Sequence, residues 1–294
     1  MAGREALRRA GGSMAIRIVT DSVSDLPPAL AQANDITVIP CYVIIGSETY
    51  KDGVEITPER FYSRLPTLSR LPSTSQPTIA DFQEVYQRLL DQGHQIVSIH
   101  VSAKLSGTLN SAAQAKAALG DSSDIEIVDS QMASAPMALV VLDAARMARE
   151  TSDFREVARR VRGSLVRNHG FVMVDTLEYL QKGGRIGKAQ AFLGGMLKVK
   201  PILTIRDGEV HPLERPRSLE RAKNRLIEMA RELAPIRQIN ISYSTDRVQA
   251  LGLRAELAEL VGPEHLVESR FGPVLGAYVG PNALGVAVTQ GSDD

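Results

Sequence analysis

The chain has 294 residues, 44% of them hydrophobic and 23% charged, with 34 Lys and Arg balanced by 34 Asp and Glu. That length buries one large core or two medium ones, and the balanced charge excludes a chain dominated by nucleic-acid binding. The single cysteine, Cys41, excludes an internal disulfide and fits a cytoplasmic location, and no apolar run reaches the length of a membrane span.

The opening MAGREALRRAGGSM lacks the apolar core of a signal peptide. It is expected to form a flexible extension over 1–13. Residues 16–20 (IRIVT) read as a buried strand, and DSVSDLPPAL turns from it into a short helix. Residues 36–45 are β-branched and apolar, and GSETYKDG after them reads as a turn. Thr57-Pro58-Glu59 gives an N-cap, a first-turn proline and an acidic first turn for a helix through 65. LPSTSQPT is a hydroxyl-rich loop, from which Thr78 caps a helix to 90. A strand at 96–101, a helix at 108–119, a strand at 125–129 and a long apolar helix at 132–150 follow. This alternation predicts an α/β fold with a mostly parallel sheet flanked by helices.

The polar run at 150–153 is the expected boundary between an N-terminal domain (14–152) and a C-terminal domain (153–290), with a tail at 291–294. Beyond it come a helix (154–166), a strand (171–175), a short helix (177–181) and a glycine-rich helical stretch to 197. KPILTIRDGEV predicts a hairpin turning at Asp207-Gly208. Helices near 218–233 and 247–260 flank a strand at 239–243. Strand-like runs near 266 and at 284–289 complete the chain, which has no internal repeat.

Several chemistries lack their pattern. KGGRIGKA has Lys182 where a phosphate loop needs its first glycine and Ala189 where it needs Ser or Thr; it reads as a glycine hinge. There is no G-x-S-x-G elbow, and no G-x-G-x-x-G follows the first strand. The five histidines lie far apart in sequence and predict no metal site. What remains are hydroxyl-rich loops placed to lie beyond the strand ends, where open parallel sheets bind ligands. They are Asp21-Ser22, Ser73-Thr74-Ser75 and the run from Ser102 to Thr108. At each, an ordinary cap or turn is the competing explanation.

Four motifs in order resemble the DegV family: VTDSVSDLP (19–27), STSQPT (73–78), SAKLSGTLNSA (102–112) and LEYLQKGGRIGKAQAFLGGMLKVKPIL (177–203). The resemblance implies a two-domain architecture, with a mostly parallel sheet in the first domain and a mixed sheet in the second. It implies a long-chain fatty acid, palmitate for example, enclosed between or within the domains. Thr74 and Ser106 would hold the carboxylate, and Tyr278 stands where the family commonly has a histidine. The expected role is a non-catalytic carrier, without catalytic residue, metal or cofactor, that presents the carboxylate to a fatty acid kinase for conversion to acyl phosphate. The alternative is an enzyme of small phosphorylated anions acting at the same loops.

Arg217, Arg221 and Arg225 are spaced by four, as on one ridge of a helix, with Glu214, Glu220 and Glu228 nearby. They read either as a solvated face or as a docking stripe for an acidic partner or a transiently contacted membrane surface. The resemblance assigns Arg217 to kinase contact.

Overall fold

A computed structural model describes residues 15–120, 124–194 and 199–291. The extension expected over 1–13 lies outside the described residues, as do 292–294 of the expected tail. In chain order the strands are β1 (Ile16–Asp21), β2 (Thr37–Ile39), β3 (Tyr42–Ile45), β4 (Glu48–Lys51), β5 (Ser73–Ser75), β6 (Gln95–His100) and β7 (Ile125–Asp129). They continue as β8 (Asn168–Met173), β9 (Ile202–Arg206), β10 (Glu209–Glu214), β11 (Ile236–Tyr243), β12 (Leu266–Arg270) and β13 (Leu284–Gln290).

The first half is built on a four-stranded sheet, ordered β2-β1-β6-β7 and parallel throughout. Its central strands are apolar on both faces because helices cover both: Val19 and Ile96 face the helices Ile79–Asp91 and Thr108–Ala118, while Ile18, Val97 and Ile99 face Ser134–Glu150 and Phe154–Ser164. The second half is built on a six-stranded mixed sheet, β10-β9-β8-β13-β11-β12, in which only the β11–β12 pair is parallel. One face is covered by the helices Leu219–Arg231 and Arg247–Leu257 through Leu226, Ala230, Leu253 and Leu257.

Local signals predicted several elements correctly. Thr57 caps Pro58–Arg64, and Thr78 with Asp81 forms a capping box at Ile79–Asp91. Asp207 and Gly208 both have positive φ, 51° and 77°, as a type I′ hairpin turn requires. Elsewhere the structure differs. The apolar run 36–45 is two strands in two sheets, divided at Pro40-Cys41, because proline lacks the N–H a continuous ladder would use. The expected turn after it contains β4, and the hydroxyl-rich loop contains β5; both pair with β3 in a small antiparallel sheet. The short helix Pro273–Val279 had no counterpart in the sequence reading.

The polar break at 150–153 separates two helices, not two cores. Phe154, Val157, Ala158 and Val161 from the following helix pack into the first core, as do Val274 and Ala277 from Pro273–Val279. Conversely, Ser134–Glu150 also lies on the second sheet, where Ala135 and Leu139 meet Val267 and Ala287. An ion pair from Arg237 on β11 to Asp143 fastens that contact. The two halves therefore share the helix between them.

Candidate functional site

The face of the second sheet turned toward Ser134–Glu150 carries small residues. Register places Ser242, Gly285 and Val172 in one row and Asn240, Ala287 and Gly170 in the next of the same face. A Cβ on Gly170 would lie 2.7 Å from Pro136 Cγ, so glycine lets the start of that helix approach the sheet. What remains between helix and sheet is a narrow, mostly apolar cavity of about 150 Å³, open to solvent on one side. Val101, Met132, Leu203, Ile205, Phe271 and Val286 are among its walls.

At one end the lining turns polar. Thr74, Ser106, Tyr278 and Arg185 all line the cavity. Thr74 stands on β5, and its Oγ1 is 2.5 Å from the Tyr278 hydroxyl. Ser106 sits just before Thr108–Ala118, with its Oγ 2.8 Å from Thr108 Oγ1 and accepting from the Thr108 N–H at 3.3 Å. Of the three hydroxyl loops, the structure thus brings two to the cavity. The third turns inward: Asp21 is fully buried, and Ser22 donates to Asp52 and accepts from the Cys41 N–H.

Tyr278, named from the resemblance, is delivered by the helix Pro273–Val279, which Gly272-Pro273 signals but the sequence reading missed. Arg185 was not named at all. KGGR, read as a hinge, delivers Arg185, whose guanidinium lies 5.3 Å from the Tyr278 ring centroid and donates to the carbonyls of Leu105 and Gly183. Gly183 makes this possible, since a Cβ there would stand 2.5 Å from Tyr278 Cδ1. Gly183 thus serves packing against an aromatic ring, while Gly184 supplies a positive φ of 72°.

Asp21, His100 and Ser98 come together although their spacing gave no hint of it. His100 Nδ1 is 3.0 Å from Asp21 Oδ2, His100 Nε2 is 2.7 Å from Ser98 Oγ, and Ser98 Oγ accepts from the Tyr86 hydroxyl at 2.7 Å. All three of Asp21, Ser98 and His100 are 0% exposed and none lines the cavity. The array resembles an acyl-transfer triad in order but is sealed from solvent; Asp21 also accepts from the N–H groups of Val23 and Val101, fixing the turn after β1. Among the described residues no group of three His, Cys, Asp or Glu is placed to hold a metal ion.

Beneath the cavity lie two further buried carboxyls. Asp25 accepts from Ser134 Oγ at 2.5 Å and from the Gly272 N–H at 2.8 Å, so it ties together the starts of the two helices that frame the cavity. Burial pushes its carboxyl well above the usual range, and pushes Asp52 up to about 7. The Cys41 thiol, in the cavity wall, is likewise raised by burial and held from reactivity.

Arg217 precedes the helix instead of riding on it. Ser218, in extended conformation, is the N-cap of Leu219–Arg231. The expected ridge is therefore broken: Arg225 is occupied by Glu214, Glu228 and Glu232, whereas Arg217 and Arg221 are exposed.

Residues 15–291 match the family model of DegV proteins, described as uncharacterised. A DegV domain-containing protein of Clostridium perfringens is 32% identical, covering 95% of this chain and 100% of its own length. Protein DegV of Bacillus subtilis is 32% identical over 93% of this chain and 98% of its length. Among solved structures, a DegV family protein of Thermus thermophilus, described by its fatty acid binding, superposes with a TM-score of 0.87 at 33% identity, covering 94% of this chain and all of the other. A stearic acid-binding protein of Eubacterium ventriosum gives 0.85 at 26% identity, covering 93% and 97%. No described helix is long and apolar enough to cross a membrane.

Proposed function

The chain belongs to the DegV family, and from that premise we propose that it is a carrier that encloses a long-chain fatty acid and presents its carboxylate to a partner kinase for conversion to acyl phosphate. The observation that carries the reading is the apolar cavity between helix and second sheet, ending at Thr74, Ser106, Tyr278 and Arg185. Solved relatives described as fatty-acid-binding support it.

The magnitudes divide the work. Burying a sixteen-carbon chain at about 0.8 kcal/mol per methylene offers roughly 11 kcal/mol before ordering costs. Each hydrogen bond to the carboxylate adds about 1.5–3 kcal/mol. The cavity therefore sets affinity, while Thr74, Ser106 and Tyr278 set orientation. Neutral hydroxyls at the head accept both a carboxylate and its phosphorylated form, and enclosure shields the labile anhydride from water. A non-catalytic role is supported by the sealed position of the Ser98–His100–Asp21 array.

Solvent extraction of purified protein, followed by mass spectrometry of the extract, is expected to recover about one acyl chain per protein. Recovery of none, together with no uptake of added palmitate, overturns the reading. Formation of acyl phosphate on the loaded protein with a kinase and ATP tests the second half.

A further inference from the structure

A second cleft opens beside the head of the cavity and shares Leu105, Ser106, Arg185 and Val210 with it. Ala103–Gly107 forms one side and 184–190 with Glu209 the other, so each half of the molecule supplies a wall. The walls are held in place. Ser102 Oγ donates to the Gly208 carbonyl at 2.9 Å, joining the loop after β6 to the β9–β10 turn. Gly187, at φ 50°, lies so close to β10 that a Cβ would stand 2.7 Å from the Val210 carbonyl oxygen.

The charge here differs from that of the cavity. Lys104, Arg185 and Lys188 face one carboxylate, Glu209, which lies 3.2 Å from Lys104 Nζ. Three cations against one anion leave an excess of two positive charges. Arg185 is fixed by its two carbonyl contacts and by the Tyr278 ring, so its charge stays at the junction of the two spaces. Lys188 is close enough to Glu209 to hold that carboxyl down together with Lys104. A fatty acid head carries one negative charge and is served by hydroxyls; two surplus cations one residue beyond suit a dianion.

We infer that this cleft is a seat for a phosphoryl group, held by Lys104 and Lys188 with Arg185 between it and the acyl head. The inference rests on the fatty acid reading for the neighbouring cavity. The phosphoryl group is either joined to the bound acyl chain or carried by a separate phosphate compound, and the seat serves both by the same contacts. Glu209 tunes it, releasing Lys104 when the anion arrives.

The test compares the parent with Lys104→Ala/Lys188→Ala, both surface substitutions outside the hydrophobic cores. One arm measures palmitate and a non-hydrolysable long-chain acyl phosphonate by calorimetry on delipidated protein. The double variant is expected to bind the phosphonate about three- to tenfold more weakly and palmitate within twofold of the parent. The other arm measures inorganic phosphate on palmitate-loaded protein by phosphorus NMR line broadening; loss of broadening in the variant assigns the seat to a separate phosphate. Equal effects on palmitate and phosphonate overturn a distinct seat. Silence in both arms overturns it whether or not palmitate binds, whereas failure of the parent to bind palmitate refutes only the carrier reading.

Discussion

Tyr278 is held on three sides: its hydroxyl against Thr74, ring atoms Cδ1 and Cε1 against Gly183, and the Arg185 guanidinium over the ring. Replacing Ser106 with Ala removes one hydrogen bond to a charged head, and a loss of roughly ten- to hundredfold in palmitate affinity is expected. Displacement of a fluorescent fatty acid measures it; parent-like affinity would remove Ser106 from the head. Tyr278→Phe is expected to weaken binding by a smaller factor, since Thr74 keeps its hydroxyl but loses its partner. Tyr278→His adds a group that titrates near neutrality. Because an imidazolium attracts the carboxylate, this variant is expected to bind palmitate more tightly, relative to the parent, at pH 5.5 than at pH 8. A constant ratio across that range would show that residue 278 does not sense the head group.

At the scale of elements, the stretch Glu178–Lys182 with its following glycines and the helix Pro273–Val279 interlock reciprocally. Gly183 admits the ring of Tyr278, and Gly280 admits the ring of Tyr179, each at 2.5 Å from where a Cβ would be. Gly183 has ordinary helical φ of −76°, so Gly183→Ala acts through the clash alone. It is expected to cost about 1–3 kcal/mol of stability by overpacking and to weaken palmitate binding by displacing Tyr278. Gly184→Ala meets nothing within 4 Å but must hold φ at 72°; it is expected to lower the melting temperature without altering affinity. Equal affinities for the two variants would refute the interlock. Arg217→Glu, in the exposed lead-in to Leu219–Arg231, is expected to leave palmitate affinity unchanged and to slow acyl phosphate formation in a reconstituted kinase assay. What was legible in the sequence follows from such local rules. The apolar strands β1 and β6, the Thr57 and Thr78 caps and the Asp207-Gly208 turn each carry their signal within a few residues. β5, a three-residue strand of hydroxyls, exists only because β3 pairs with it, and the interlock joins residues about a hundred positions apart. Thr74, Ser106 and Tyr278, named from the family resemblance, all line the cavity; Arg185 was missed because its partners, the Tyr278 ring and the Leu105 carbonyl, lie about eighty to ninety positions away in sequence.

For the molecule as a whole, Asp25 and Asp52 lie where the turn after β1, the end of β4 and the starts of Ser134–Glu150 and Pro273–Val279 meet. Asp52 is 4% exposed, and burial lifts its carboxyl to about 7, with the Ser22 hydroxyl and the Val274 N–H opposing and the Asp21 charge reinforcing the rise. In the unfolded chain the same group titrates near ~3.9. Between those values the folded protein holds a proton that the unfolded chain has released, so folding stability declines as pH rises. The contribution is complete below about 3.9 and is lost progressively as pH passes through 7; a shift of this size is worth roughly 4 kcal/mol. Asp25, raised in the same direction, adds to the same slope. Asp52→Asn keeps an acceptor for Ser22 and removes the proton, so its melting temperature is expected to fall less than the parent's between pH 5 and pH 8. Saturating palmitate binds only the folded state, and at a hundred times its Kd adds about 2.7 kcal/mol at every pH if it does not touch these carboxyls. Calorimetric melts of both proteins, empty and loaded, decide the matter. Parallel slopes for parent and variant would mean that Asp52 is ionised when folded, and a slope that changes on loading would mean that the acyl chain reaches the acid pair.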